Sequence, residues 1–89
     1  MLTTSIDDEQ VLALVRHAVT LVLEVDGGTL TRETRLVEDL RADSLALIEM
    51  VELVEAGLRD AGRSIHLEDD EIGRLTTVGD AVDLALSRL

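Results

Sequence analysis

Apolar residues in the first quarter of the chain recur at helical spacing. Val11, Leu14, Val15, Ala18, Val22 and Val25 fall on one stripe, which predicts a helix from Asp7 to Val25. Ser5 followed by Asp8 reads as a capping pair at its start, and Gly27-Gly28 as its stop. From Asp26 to Ala42 the apolar residues are too sparse for a helix. Leu30, Leu36, Val37 and Leu40 are expected to pin this long connection to the core.

Periodicity returns near Ser44 and runs to Ala61-Gly62. Leu47, Met50, Val51, Val54 and Leu58 form the stripe to be buried. Leu45, Glu49, Glu52 and Ala56 lie opposite it, with Ile48 at the edge. Between Ile65 and Leu75 a weaker pattern surrounds Glu68-Asp69-Asp70-Glu71 and predicts a brief helical turn. The last helix is expected to start at Thr77, with Asp80 completing a capping box, and to use Val78, Ala81, Val82, Ala85 and Leu89. No window alternates with period two. The expected fold is all-α: a small bundle of three main helices plus one short helix, with a long loop between helices one and two. Eighty-nine residues are expected to make a single domain, 1–89.

Composition sharpens this picture. Apolar residues make up 46% of the chain, yet aromatics, proline and cysteine are absent. The core must be aliphatic, and such a core repacks around a guest more easily than one built on rigid rings. Without cysteine there is no disulfide, thiolate metal site or thiol nucleophile. The net charge is −11, from 19 acids and 8 bases. That field repels nucleic acid and anionic lipid and attracts basic protein surfaces. Met1-Leu2-Thr3-Thr4-Ser5 lacks the basic start of a signal peptide, and no stretch approaches the ~18 apolar residues of a membrane span. A cytoplasmic monomer is expected, with neither nucleic-acid nor membrane partners.

Several chemical signals fail. His17 and His66 lack the companions of a zinc site, so both read as surface residues. The acidic run at Glu68–Glu71 fails the calcium-loop pattern, because Ile72 takes a ligand position before Gly73 and no glutamate closes the loop. An acid-rich helix start accounts for the run better. No metal site is expected, and no paired base and nucleophile is visible.

The informative stretch is Asp39-Leu40-Arg41-Ala42-Asp43-Ser44-Leu45, which leads straight into the second helix. A serine just inside a helix start has unpaired backbone amides and the positive end of the helix dipole beside it. Both favour a phosphodiester on its hydroxyl. Serine is also a common cap. Here Asp43 is better placed to cap, which leaves Ser44 at the first helical position.

This stretch resembles the attachment site of acyl carrier proteins, whose signature is an Asp-Ser-Leu triplet at such a junction. Leu75-Thr76-Thr77-Val78-Gly79-Asp80-Ala81 also resembles the family's start of the final helix, and the likeness runs from Ile6 to Leu86. The resemblance implies a free-standing carrier that is not itself an enzyme. A separate phosphopantetheinyl transferase would attach 4′-phosphopantetheine from coenzyme A to Ser44, flanked by Asp43 and Leu45. The thiol of that arm would hold an acyl group as a thioester. The following helix would be read by acyl-loading enzymes, synthases or acyltransferases with basic docking surfaces, through Leu45, Ile48, Glu49, Glu52 and Glu55. Arg41 adds a positive charge next to the attachment site.

Four departures from the family pattern favour a polyketide or other natural-product pathway over housekeeping fatty-acid synthesis. Arg41 stands where many members have glycine, Ala46 replaces a frequent acid, and Glu52 stands where fatty-acid carriers commonly have methionine. The Arg59–Leu75 connection is longer than usual and lacks a familiar proline, with His66 near its place. Two alternatives stay open. Peptidyl carriers share the fold but usually have Gly-Gly-x-Ser, whereas Arg41-Ala42-Asp43-Ser44 keeps the acyl-carrier aspartate. An unmodified acidic adaptor would use the same surface without any arm.

Overall fold

The structure, a computed structural model, describes residues 6–89. The predicted Ser5 half of the first cap therefore lies outside the described residues. The observed cap is Asp7: its carboxylate accepts the Gln10 N–H at 3.0 Å, and the Gln10 side chain accepts the Asp7 N–H at 3.0 Å. Helix α1 spans Asp8–Leu23. Of the predicted stripe, Val11, Val15 and Ala18 are buried, Val19 joins them, and Leu14, Val22 and Val25 are half-buried.

Gly27-Gly28 does not stop α1. The helix ends earlier, where Glu24 turns left-handed at φ 55. The glycines open a 3-10 turn, Gly27–Thr29. Gly27 is required by close approach, since a Cβ there would stand 2.8 Å from Thr20 Oγ1. The Arg16 guanidinium draws this turn onto α1 by donating to the Gly27 carbonyl at 2.7 and 3.2 Å.

Helix α2 spans Ser44–Asp60 and buries all five predicted residues. It closes with the Gly62 N–H on the Arg59 carbonyl (2.9 Å) and the Arg63 N–H on the Leu58 carbonyl (2.8 Å), the paired bonds of a Schellman end. Helix α3 is the brief turn Asp69–Ile72, with acids throughout its first turn, where the dipole favours them. Helix α4 spans Val78–Ser87 and starts on the predicted box. Thr77 Oγ1 accepts the Asp80 N–H at 3.0 Å, and Asp80 Oδ2 accepts the Thr77 N–H at 3.1 Å. The fold is all-α, as the periodicity implied, with α1 packed on both α2 and α4.

The long loop is held tightly to α4. The Leu36 N–H donates to the Thr76 carbonyl at 2.8 Å. The Val78 and Gly79 N–H groups, unpaired within their own helix, donate to the Thr34 and Arg32 carbonyls at 2.9 and 2.8 Å. Arg32 also pairs with Asp83 of α4 at 2.6 Å. Leu30 and Leu36 are buried as expected and Leu40 is half-buried. Val37 corrects the expectation: it is 50% exposed, because it lies in the turn after Leu36, which carries its side chain away from the core. The core contains no buried polar side chain among the described residues.

Gly79 sits where loop and helix touch. A Cβ there would stand 3.0 Å from the Arg32 carbonyl oxygen and 3.3 Å from its Cβ. Gly79→Val should cost about 1–3 kcal/mol by overpacking this contact. Thermal unfolding should then show Tm lower by at least about 4 °C.

Candidate functional site

Between the paired segment and α2 the chain makes one tight turn. The Asp39 and Leu40 N–H groups donate to the Arg35 carbonyl at 3.1 and 3.2 Å, the Arg41 N–H to the Val37 carbonyl at 2.9 Å, and the Ala42 N–H to the Leu36 carbonyl at 3.0 Å. Arg35 clamps the turn from outside through Glu38 (2.6 Å) and Asp39 (3.0 Å). Hydrogen bonds from the Arg35 side chain, then its backbone N–H, hold the Asp39 carboxyl below the usual carboxylate range. The same partnership raises Arg35.

The turn ends with Ala42 buried and Asp43, Ser44 and Leu45 exposed. Asp43 Oδ1 accepts the Ala46 N–H at 2.8 Å and so caps α2. Ser44 is the first residue of the helix, and its hydroxyl is not spent on capping. The Ser44 and Leu45 N–H groups lie in the first turn, where no helical carbonyl can reach them. These features suit a phosphate ester on the Ser44 oxygen, accessible to a modifying enzyme and close to backbone donors. A cleft of about 550 Å³ opens beside Ser44, with Val37, Leu47 and Ile48 on one side and Asp69, Ile72 and Gly73 on the other.

The other expected residues divide into two groups. Leu45 is 64% exposed, Glu49 and Glu52 are exposed, and Ile48 is half-buried at the edge. Together they form one acidic face of α2 with apolar contacts. Leu53, 39% exposed, extends that face, and its position eight residues after Leu45 was a usable signal. Val37 in the cleft had no such signal, because only the turn decides which way it points. Glu55 leaves the face. Its side chain is only 13% exposed and accepts the Leu67 N–H at 2.9 Å.

Arg41 is exposed and has φ 61, a left-handed backbone that glycine adopts without strain. This geometry explains why glycine suits the position and what Arg41 costs there. His17 and His66 are both exposed, and the described residues contain no cluster of three or more His, Cys, Asp or Glu able to hold a metal ion. No helix of the described residues is long and apolar enough to cross a membrane.

An ordinary helix or strand position favours alanine over glycine; Arg41 should reverse that order. A left-handed non-glycine residue costs about 1–2 kcal/mol, of which glycine's greater unfolded freedom returns about 0.5–1. Urea titrations should place Arg41→Gly above Arg41→Ala in stability. The opposite order would mean that the turn relaxes instead of holding its strain.

Comparison with known proteins places this arrangement in a context. No family model matches the chain. Curated relatives do match, over most of both sequences. A protein of Exiguobacterium sp. is 39% identical over 74 residues, 83% of this chain and 87% of the relative. One from Rubrobacter xylanophilus is 34% identical over 77 residues, 86% and 89% of the two chains. One from Borreliella burgdorferi (strain ZS7) is 30% identical over 82 residues, 92% and 96%. All three are named acyl carrier protein.

Proposed function

The chain belongs to the acyl carrier protein family, and we propose that it carries acyl or polyketide-type intermediates on a 4′-phosphopantetheine arm attached to Ser44. The observation that carries this reading is the division of labour at the start of α2. Asp43 satisfies the helix, and Ser44 is left exposed at its first position. The exposed hydroxyl supplies the attachment oxygen, and the Ser44 and Leu45 amides are the donors that would face the phosphate. Once attached, the arm supplies a terminal thiol on which an acyl group is held as a thioester. The protein's own residues position and present; the bond-making groups belong to its partners.

A phosphopantetheinyl transferase and acyl-handling enzymes with basic docking surfaces are the partners that fit. Glu49 and Glu52 offer carboxylates to Arg or Lys clusters, while Leu45 gives apolar contact among them and Ile48 and Leu53 at the edges of the face. The net charge of −11 accelerates encounter with such surfaces. Arg41 places one positive charge beside Ser44, so a matching partner would carry an acid or a neutral group there. That charge, Glu52 and the proline-free connection before α3 are the features that favour a natural-product pathway. The wholly apolar core supports a further point: an aliphatic cargo can be drawn from the cleft inward past Leu47, which lines both the cleft and a core cavity.

Incubation of the full chain with coenzyme A and a broad-specificity transferase should add the mass of one phosphopantetheinyl group, and Ser44→Ala should abolish the gain. A chain that stays unmodified would instead favour the acidic adaptor. Loading of the modified chain by an aminoacyl-activating enzyme, and by no acyl-loading enzyme, would identify a peptidyl carrier.

Charge reversal tests the face separately. Glu49→Lys and Glu52→Lys should slow modification or acyl transfer several-fold at low ionic strength, with the difference shrinking as salt screens it. Circular dichroism should show both variants folded, because both side chains face solvent. Unaltered turnover at low salt would remove the face from recognition.

A further inference from the structure

The aliphatic core contains a cavity of about 20 Å³, lined by Val15, Val54, Met50, Leu67 and Leu75 among others. A void that size has room for about one water-sized probe. A chain of several methylenes enters only if a wall moves. Three walls come from α1, α2 and α4, whose backbones are tied by their own helical bonds. The other lining residues are Leu36 of the strapped loop, Leu75 in the turn that closes α3, and Leu67 on the connection between α2 and α3, which is irregular from Arg63 to Leu67.

That connection is lightly fastened. Among the described residues, the stretch from Ser64 to Leu67 makes one hydrogen bond to the rest of the fold, from the Leu67 N–H to Glu55 Oε2 at 2.9 Å. Leu67 itself is 3% exposed. Glu55 is two-thirds of the way along α2 and sits next to Val54, so one residue of the helix lines the cavity and its neighbour grips the facing wall. A carboxylate oxygen is among the stronger acceptors a backbone amide can find. One titratable group, His66, faces it, and Glu68 stands on the far side of that imidazole. His66 Nδ1 lies 3.7 Å from the same Glu55 oxygen, and His66 Nε2 lies 3.6 Å from Glu68 Oε2. Both distances are too long for hydrogen bonds, and the His66 side chain is 75% exposed, so neither contact replaces the amide bond.

We propose that Glu55 is a positioning residue: by accepting the Leu67 N–H, its carboxylate latches the α2–α3 connection as a wall of the core cavity and sets how readily that cavity enlarges for cargo. The latch concerns the unmodified protein and stands without the arm; its effect on cargo rests on the carrier reading above. Loss of the bond leaves a buried amide without a partner and lets the Leu67 segment swing outward, while the helical walls keep their own bonds. Glutamine at position 55 can still accept through its carbonyl oxygen, so it preserves the latch without the charge.

Amide hydrogen exchange by NMR, on the unmodified full chain at fixed pH, separates the outcomes. Glu55→Ala should speed exchange at Leu67 by about tenfold, with α1 and α4 amides unchanged, and Glu55→Gln should restore most of the protection. Equal Leu67 exchange in wild type and Glu55→Ala would overturn the latch. So would a rise spread evenly over α1, α2 and α4 in both Glu55→Ala and the milder Glu55→Asp, since that describes general destabilisation. With an octanoyl arm on Ser44, Glu55→Ala should show larger methyl shift changes at Val54 and Met50 than wild type does. Identical changes would sever the latch from cargo entry. Failure of Ser44 to accept the arm would count against the carrier reading alone, because the exchange result does not depend on it.

Discussion

The pairing of the long loop with the first turn of α4 is the contact on which the site depends. A helix start presents amides that its own carbonyls cannot reach, and α4 finds two of its acceptors in Arg32 and Thr34, far away in sequence. The same register sets the Leu36 amide on Thr76 and drives Leu36 into the core. A connection that composition alone would leave loose thereby becomes a fixed strap. Its far end must turn within a few residues to enter α2, and Arg41 in a left-handed backbone is part of that turn. The strap leads the chain to the start of α2, where the local Asp43 cap leaves Ser44 exposed at the first helical position.

Around this strap the molecule separates binding tasks by chemistry. Charge is confined to the surface, and on α2 Glu49 and Glu52 make one exposed acidic face. The interior is wholly aliphatic, without a buried polar side chain among the described residues to hold it in a single packing. Such an interior is cheap to rearrange, because its contacts are dispersive and carry little directional demand. Glu55 is an exception on α2: a carboxylate turned away from solvent to hold a backbone amide of the connection before α3.

Much of the architecture was legible from spacing. The buried stripe of α2, the Thr77–Asp80 box and the short acidic α3 all emerge from local rules, since each depends on residues within about one or two helical turns. Asp43 as cap and Ser44 as first helical residue were legible for the same reason. The misreadings share the opposite property. Gly27-Gly28 looked like a helix stop, yet Glu24 ends α1, and Gly27 is needed because the chain folds back against Thr20. Val37 looked like a pinning residue, yet the turn carries it outward beside Ser44.

The amino-acid sequence by itself determined the helices, their buried faces, the acidic surface and the serine at the mouth of α2. Local hydrogen bonding and periodic burial act within a few residues, so they are written along the chain. Only the tertiary structure decided that the loop is strapped to α4, that Val37 borders the cleft, and that Glu55 turns inward to Leu67 instead of joining Glu49 and Glu52. Those outcomes pair groups that are distant in sequence, and whether a side chain faces solvent or an unpaired amide is settled by what the folded chain brings beside it.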